Sequence, residues 1–369
     1  MTFKDLGLTS SLYTTLSHMG IHSPTPIQEQ AIPFILNNKD LIGEAQTGTG
    51  KTLAFLLPLF EKIDEKKPFI QALILSPTRE LAIQITEEAE KLTKGKALNI
   101  LPIYGGRDTS KQIKKLKGNI HLIVATPGRL LDHLGQKTLD LSKLQTFILD
   151  EADQMLLMGF KNDVENIMRH MPKKRQTLCF SATMDAPVKK LAYRYMKEPV
   201  VISVKKKQVT LETIKQEVIE TTDRHKQASL FKVLEEDNPF MAIIFCRTKR
   251  RVDVLYDAMK KEGYNCIKLH SDILQSKRER LMKSFKNGDI QYLIATDVAA
   301  RGIDITGVDY IYNYDIPESP EVYIHRIGRT ARAGAEGYTC VFIDPKNKRE
   351  LEDIEKAIKF KLPRREVKM

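Results

Sequence analysis

Residues 45–52 read Ala-Gln-Thr-Gly-Thr-Gly-Lys-Thr, and farther along Phe147-Ile148-Leu149 runs directly into Asp150-Glu151-Ala152-Asp153. The first stretch is a glycine-rich turn of the kind that joins a strand to a helix and wraps backbone N–H groups around phosphates. The second is a buried strand whose carboxyl end delivers acidic side chains to a ligand. Together they predict an α/β domain that binds a nucleoside triphosphate.

Each residue of these two stretches has an expected role. Lys51 would reach the β- and γ-phosphates, and the Thr52 hydroxyl would face Mg²⁺. Asp150 would hold the metal, and Glu151 would orient or deprotonate the attacking water. We therefore expect ATP hydrolysis, although Ala45 stands where the general pattern begins with glycine. The predicted phosphate-binding residues are Ala45, Gln46, Thr47, Gly48, Thr49, Gly50, Lys51 and Thr52, and the predicted metal ligands are Thr52 and Asp150.

The composition is typical of a globular protein with two domains. Its 369 residues exceed what one hydrophobic core usually supports. No apolar run has the length of a membrane span, and the N-terminus lacks the profile of a signal peptide, so we expect a cytoplasmic protein without membrane contact. The cysteines lie in apolar, strand-like stretches, which predicts buried reduced thiols: Cys179, Cys246, Cys266 and Cys340.

The charge balance points to a polyanionic partner. The chain has a net charge of +12, and its Lys and Arg residues are spread along the sequence without a basic tail. A basic protein attracts nucleic acid. The even distribution is expected if a binding groove is built from several separate loops.

Short apolar runs alternate with amphipathic stretches of helical length along most of the chain. Runs such as 72–75 and 147–149 are typical of buried parallel strands, and a second series follows from residue 242. The alternation predicts mostly parallel sheets covered by helices on both faces. Two series predict two α/β domains, residues 1–208 and 209–369. Residues 215–220 predict an edge strand, and residues 350–365 fit either a closing helix or the point where a longer protein was cut.

Two further motifs complete the pattern. Residues 20–28 read Gly-Ile-His-Ser-Pro-Thr-Pro-Ile-Gln, and residues 325–332 read His-Arg-Ile-Gly-Arg-Thr-Ala-Arg. With residues 150–153 they resemble the motifs of the DEAD-box RNA helicases in their minimal two-domain form, and the resemblance extends from Phe3 to about Asp344. It implies two tandem RecA-like domains, ATP and Mg²⁺ as cofactors, and RNA as the partner.

The resemblance also implies residues for ATP binding and for coupling. Gln28 would recognise the adenine edge, Phe3 would stack on the base, and Asp304 would contact the ribose. Arg329 and Arg332 would be arginine fingers in the second domain, so the site would be complete only when the domains close. The residues implied in coupling are Asp153, Ser181, Thr183, His325 and Arg326.

The implied RNA contacts come from loops in both domains. Glycines, hydroxyls and arginines at loop tips suit phosphate and sugar contacts, which position a strand without reading its sequence. The preference for RNA over DNA rests on the family and on contacts to the 2′-hydroxyl. Ser271 stands where the family usually has glycine, a difference that we expect to be tolerated. The implied RNA-binding residues are Pro77, Thr78, Arg79, Gly105, Gly106, Arg107, Thr126, Pro127, Arg129, Arg247, Gln275, Arg278 and Thr296.

The resemblance implies an RNA-stimulated ATPase that closes its domains on ATP and RNA and locally separates short duplexes. Two alternatives fit the same motifs: an ATP-gated RNA clamp for ribonucleoprotein assembly, and a DNA helicase. Measuring duplex release against ATP consumption distinguishes the clamp from an RNA helicase. Comparing RNA with DNA as stimulators of ATP hydrolysis distinguishes a DNA helicase from an RNA helicase. We expect a monomer whose RNA is selected by an accessory protein or by a C-terminal extension absent from this sequence.

Overall fold

The computed structural model describes residues 2–46, 48–106, 108–204, 214–300, 308–330 and 337–367. The chain divides into two compact units, Met1–Lys206 and Lys207–Met369, called unit 1 and unit 2 below. The boundary predicted between residues 208 and 209 falls in the stretch 205–213, outside the described residues, so its position stays a prediction.

Unit 1 alternates strands with helices from its first strand onward. Its helices are α1 (Ser10–His18), α2 (Pro26–Leu36), α3 (Lys51–Lys62), α4 (Arg79–Leu92), α5 (Thr109–Leu116), α6 (Pro127–Gly135), α7 (Ala152–Leu157), α8 (Lys161–Met168) and α9 (Ala186–Tyr195). Its strands are β1 (Leu41–Glu44), β2 (Ala72–Leu75), β3 (Ile100–Ile103), β4 (Leu122–Ala125), β5 (Thr146–Leu149), β6 (Gln176–Ser181) and β7 (Val200–Ser203).

The described strands of unit 1 form one parallel sheet in the order β3-β4-β2-β5-β6-β1-β7. Side chains along the central strand β2 alternate between two apolar layers. Ile74 packs in one layer, and Leu73 and Leu75 pack in the other. Because both faces are covered, every residue of β2 is buried, which explains its uninterrupted apolar sequence.

Unit 2 repeats the alternation. Its helices are α10 (Lys226–Asp237), α11 (Lys249–Lys261), α12 (Gln275–Lys286), α13 (Asp297–Ala300), α14 (Pro320–Ile327) and α15 (Lys348–Ile358), with a short 3₁₀ helix at Pro345–Asn347. Its strands are β8 (Ile214–Glu220), β9 (Ala242–Phe245), β10 (Cys266–Leu269), β11 (Tyr292–Ala295), β12 (Tyr310–Asn313) and β13 (Gly337–Ile343).

The described strands of unit 2 also form a parallel sheet, in the order β10-β11-β9-β12-β13-β8. Its central strand β9 again divides its side chains between two apolar layers, with Ile244 in one and Ile243 and Phe245 in the other. The predicted fold class is therefore confirmed: each unit is a parallel sheet with apolar layers on both faces.

The end of the described chain lies along the edge of the unit 2 sheet. The edge strand predicted at residues 215–220 is confirmed as β8. The closing helix predicted over residues 350–365 is shorter, because α15 ends at Ile358 and Lys359 follows with a φ of +63°. Val218 then donates its N–H to the Pro363 carbonyl and accepts from the Arg365 N–H, both at 2.8 Å. This pairing covers the backbone of an otherwise open edge.

Two expectations from composition can be compared with the described residues. All four cysteines are free and buried, as predicted, and burial raises the pKa of the Cys179 thiol to about 12. Over the part of the chain that the structure describes, none of the helices combines the length and apolar character needed to cross a bilayer.

Candidate functional site

The glycine-rich turn lies between the end of β1 and the first residue of α3. Gly48 and Gly50 have φ angles of +76° and +92°, in the left-handed region that glycine adopts without strain. A Cβ atom on Gly50 would lie 2.4 Å from Gln28 Nε2 and 2.8 Å from Thr25 Oγ1. The turn therefore requires glycine at position 50, and it leads into the N-terminus of a 12-residue helix, where anions bind favourably.

Gln28 anchors this turn from the helix α2. Its side-chain amide donates to the Gly50 carbonyl at 3.0 Å and accepts from the Thr25 N–H at 2.9 Å. The side chain is only 2% exposed. The residue predicted to recognise adenine is thus also a structural link between the start of α2 and the phosphate-binding turn.

The Lys51 side chain is buried, and its Nζ atom makes no hydrogen bond to any residue that the structure describes. Its charge acts on the buried Asp150 carboxyl. Burial raises the pKa of Asp150, while the Lys51 ammonium and the Glu151 N–H, 3.0 Å from Asp150 Oδ1, oppose that rise. Burying an amine without an acceptor is costly, so this arrangement fits a ligand that brings its own oxyanions.

The residues expected to hold Mg²⁺ supply oxygen ligands. Thr52 contributes a hydroxyl group and Asp150 a carboxylate, and Mg²⁺ is commonly held by one or two carboxylates together with substrate phosphates and water. Among the described residues, no three His, Cys, Asp or Glu side chains converge as they would in an all-protein metal site. The donor set therefore fits a Mg²⁺ ion shared between the protein and a phosphate ligand.

Glu151 has a backbone conformation that is rare for a residue with a side chain. Its φ and ψ are +50° and +52°, and it occupies the position just before α7. A left-handed conformation at a residue other than glycine costs about 1–2 kcal/mol. Such strain often accompanies function, and here it sets the direction in which the Glu151 side chain leaves the end of β5.

Asp153 lies in contact with the last residue of β6 and with the loop that follows this strand. Its N–H donates to Ser181 Oγ at 3.2 Å, and Thr183 Oγ1 donates to Asp153 Oδ2 at 3.4 Å. The structure thus brings together the three unit 1 residues that were expected to take part in coupling, which are Asp153, Ser181 and Thr183. Their role in coupling stays a prediction.

The predicted RNA-binding residues of unit 1 lie beyond three neighbouring strands. Thr78 follows β2, Gly105 and Gly106 follow β3, and Thr126 and Pro127 follow β4. Each of the two threonines lies just before a helix. Thr78 precedes α4, and its hydroxyl accepts from the Leu81 N–H at 3.3 Å. Thr126 precedes α6.

Two arginines contact the loops beyond β2, β3 and β4 that carry the predicted RNA-binding residues of unit 1. The Arg79 guanidinium lies against Gly105, where an added Cβ atom would be 3.1 Å from Arg79 Nη2. Arg129 donates to Thr109 Oγ1 at 2.8 Å and forms an ion pair with Asp132 at 3.5 Å. The small residue at position 105 therefore leaves room for an arginine at the rim of the sheet.

The predicted RNA-binding residues of unit 2 have the matching arrangement. Arg247 follows β9, Thr296 follows β11, and Gln275 and Arg278 belong to α12, which follows β10. These three strands are also neighbours in their sheet. Arg278 donates from its guanidinium to the Ala299 carbonyl, which connects α12 to α13.

Arg326, expected to be a coupling residue, is the centre of a buried network in unit 2. Its guanidinium makes a bidentate pair with Asp297 at 2.6 and 2.7 Å. It also donates to Asn313 Oδ1 at 2.9 Å and to the Asp315 carbonyl at 2.8 Å, and it stacks on the Phe245 ring. With the side chain 2% exposed, Arg326 joins α14 to the ends of β11 and β12. It holds the loops beyond these strands in position.

The remaining predicted residues differ in how they are placed. His325 and Arg329 border one small cleft of unit 2. Phe3 is fully buried in the core of unit 1, so its ring presents no free face to a base in this structure, and its stacking role stays a prediction. Thr47, Arg107, Asp304 and Arg332 lie outside the described residues.

Sequence reasoning missed the residues that position others. Asp297 and Asn313 carry no motif signal as single residues, yet both bind Arg326. Thr25 lies within the motif at residues 20–28 and has no expected role of its own, although its backbone N–H binds Gln28 and its side chain borders Gly50. The order of polar residues in the sequence does not show such pairings, because they depend on which strand ends are neighbours.

Comparison with protein families gives two matches. Residues 25–191 match the DEAD/DEAH box helicase family, and residues 225–334 match the helicase conserved C-terminal domain. The first range contains the glycine-rich turn and residues 150–153, and the second contains the Arg326 network.

Two named relatives match nearly the whole chain. The DEAD-box ATP-dependent RNA helicase CshA of Bacillus subtilis (strain 168) is 50% identical over 364 residues, which cover 99% of this chain and 74% of that protein. CshA of Geobacillus kaustophilus is 48% identical over 363 residues, covering 98% of this chain and 78% of that protein.

Solved structures show the same fold. S. cerevisiae Dbp5 bound to RNA and ADP BeF3 matches with a TM-score of 0.89 at 34% identity. The match covers 99% of this chain and 95% of the Dbp5 chain. Mss116p bound to ssRNA and AMP-PNP has a TM-score of 0.87 at 30% identity, covering 99% of this chain and 79% of its own.

Proposed function

Because the chain belongs to the family of DEAD-box ATP-dependent RNA helicases, we propose that it hydrolyses ATP in response to single-stranded RNA and separates short RNA duplexes locally. The observation that carries the proposal is the buried Lys51 amine, which has no hydrogen-bond partner among the described residues and stands at a glycine turn beside Asp150. A triphosphate would supply the missing acceptors.

The unit 1 residues have separate roles at the triphosphate. Backbone N–H groups of the turn and Lys51 bind the phosphate oxygens. Thr52 and Asp150 would hold Mg²⁺, which when bound neutralises charge on the phosphates. Glu151 orients the attacking water and accepts its proton, and its left-handed backbone fixes the position of that carboxylate. Gln28 recognises the adenine edge, and Asp304 of unit 2 contacts the ribose. Stacking of the base on Phe3 would require this ring, which is buried in the structure, to become exposed.

Unit 2 supplies the groups that make hydrolysis depend on RNA. Arg329 and Arg332 neutralise charge on the γ-phosphate in the transition state when ATP and RNA draw the units together. The rows of residues beyond β2, β3 and β4 and beyond β9, β10 and β11 bind the backbone of one RNA strand. Such contacts position RNA without reading its sequence. Bending of that strand separates it from its complement.

We also propose a monomeric cytoplasmic protein that works without membrane contact. The free buried cysteines are typical of a reducing compartment, and the net charge of +12 suits an RNA partner. An accessory protein or a further domain would select the RNA, because the proposed contacts read no sequence.

Steady-state ATP hydrolysis tests the proposal, with single-stranded RNA, with single-stranded DNA and without nucleic acid. We expect stimulation by RNA that exceeds stimulation by DNA and that is lost in Glu151→Gln. Absence of ATP hydrolysis under every condition would overturn the proposal. Equal stimulation by DNA would favour a DNA helicase, and ATP consumption without release of a short duplex would favour the clamp.

A further inference from the structure

The sheets of the two units share one strand order. Counted from the first strand of each unit, both follow the order third, fourth, second, fifth, sixth, first, and unit 1 adds β7 at its edge. It follows that β8 corresponds to β1, β9 to β2 and β12 to β5. Each loop beyond these strands of unit 2 therefore has a counterpart in unit 1.

Lys226 and Asp315 occupy in unit 2 the places that Lys51 and Asp150 occupy in unit 1. Each lysine is buried and is the first residue of the helix after the first strand. Each aspartate follows the fifth strand and donates its N–H to the last residue of the second strand, at 3.1 Å in unit 2 and 3.0 Å in unit 1. The lysine–aspartate pair of the phosphate site is thus repeated.

A cavity of about 240 Å³ contains this second pair. Lys226 Nζ lies 3.8 Å from Asp315 Oδ1 and 3.8 Å from Asp223 Oδ1, too far for hydrogen bonds. It makes no hydrogen bond within the described residues, although its side chain is 3% exposed. As with Lys51, a buried ammonium is left with donors to offer.

Further positive groups line the same cavity. Arg247, Arg251 and Lys346 contribute side chains. Two helix N-termini also lie at the wall, because α10 begins at Lys226 and Thr248 is the residue just before α11. Helix N-termini add positive potential to these charges.

The carboxylates of the cavity are already engaged. Asp315 accepts from the Arg247 N–H at 2.9 Å and pairs with Arg251 at 3.3 Å. Asp344 accepts from the Lys346 N–H at 2.7 Å. The described lining carries four cationic and three acidic side chains, a net charge of +1. In unit 1, Lys51 stands beside two acidic residues, Asp150 and Glu151, so the local charge there is more negative.

We propose that this cavity is a second phosphate-binding site, which takes a phosphate or pyrophosphate group through Lys226, Arg251 and Lys346. The loop 221–225 contains no glycine, so side chains supply the donors that the backbone supplies in unit 1. The phosphate belongs either to a free polyphosphate or to the backbone of bound RNA. The inference rests on the proposed phosphate role of Lys51.

Calorimetric titration of inorganic pyrophosphate into the full chain tests the site. Lys51→Ala first removes the unit 1 lysine, and pyrophosphate binding should persist in that variant. Adding Lys226→Gln should weaken the remaining binding about tenfold, because a charge-assisted hydrogen bond is lost. Lys346 is 79% exposed, so Lys346→Ala preserves folding and should weaken binding about threefold. Lys356→Ala, an equal change of charge on α15 outside the cavity, should leave binding unchanged.

RNA titrations in the presence of ATP identify the source of the phosphate. If RNA occupies the site, Lys226→Gln and Lys346→Ala each lower the slope of log affinity against log salt by about one. If a free polyphosphate occupies it, the slope stays unchanged while pyrophosphate binding weakens. The proposal is overturned if neither substitution changes pyrophosphate binding or the slope of log RNA affinity against log salt. Failure of the proposed function is a separate result, in which Lys51→Ala retains ATP hydrolysis.

Discussion

Gln28 and Gly50 are joined by a hydrogen bond of 3.0 Å from the glutamine side chain to the glycine carbonyl, although 22 residues separate them in the chain. A second bond from the Thr25 N–H fixes the other end of the same amide. The Gln28 amide keeps one N–H group and one lone pair for a further partner. The side chain that is proposed to recognise adenine therefore also holds the phosphate-binding turn.

Gln28→Leu should raise the KM for ATP about tenfold and lower the free energy of unfolding by about 1–3 kcal/mol. The substitution leaves the Gly50 carbonyl and the Thr25 N–H without their buried partners. ATP titrations of turnover and urea unfolding measure the two effects. Gln136→Ala, at an exposed position after α6, is the control and should change neither. A Gln28→Leu protein of wild-type stability would show that the amide does not hold the turn.

Gly50→Ala should lower ATP turnover by about 100-fold. The methyl group would lie 2.4 Å from Gln28 Nε2 at a φ of +92°, so the turn must shift, and displacements near 1 Å cost catalysis about that much. Gly135→Ala is the matched control, because its added methyl group meets no atom within 4 Å. Equal turnover in the two variants would contradict the requirement for glycine at position 50.

Arg326→Ala should lower the free energy of unfolding by about 3–5 kcal/mol. It leaves Asp297, Asn313 and the Asp315 carbonyl without the guanidinium that joins them. Arg326→Lys should recover only part of the loss, since an ammonium cannot form the bidentate pair. The control is Arg194→Ala, which removes the ion pair between a 59% exposed arginine and Glu165 and should cost less than about 1 kcal/mol. Equal losses for the two alanine variants in urea titrations would refute the network.

Lys62 should make stability depend on pH in the alkaline range. Burial lowers the pKa of Lys62 from 10.5 to about 8, and among the residues that the structure describes its Nζ donates only to the neutral Gln176 side chain and the Ile35 carbonyl. Between these pKa values the unfolded chain holds the proton that the folded chain has lost, so stability rises with pH. The difference in unfolding free energy between wild type and Lys62→Met should be flat below pH 8 and shift in favour of wild type above it. A difference independent of pH up to pH 10 would contradict the prediction.

Most of the strands predicted from sequence are buried on both faces, and residues 215–220 were predicted as an edge strand. Apolar residues fill all of β2 and positions 147–149 of β5, because each of these strands faces an apolar layer on both sides. The two edge strands of unit 1 gave no such signal. β3 contains Pro102 and has alternating burial, and β7 is half exposed. The pattern of apolar runs did not identify β3 and β7, because each lies at an edge of the sheet and has residues that are only partly buried or exposed.

Motifs predicted residues for a phosphate-binding role, but the sequence did not show which other residues hold those side chains in position. Lys51 and Asp150 were predicted because their chemistry and their neighbours repeat a known pattern. The pairing of Arg326 with Asp297 was missed, because it joins helix α14 to the end of β11 across the sheet. The resemblance of Lys226 to Lys51 was also missed, since it becomes visible only when the strand orders are compared.

RNA-stimulated ATP turnover by Arg329→Ala tests the central claim most directly, with ATP affinity measured on the same protein. Arg349→Ala, an exposed arginine of unit 2 on α15, is the control. If unit 2 completes the ATPase site, Arg329→Ala lowers stimulated turnover by about 10³–10⁵-fold while ATP binding survives. Turnover close to wild type in Arg329→Ala would contradict the account of an ATPase site shared between the two units.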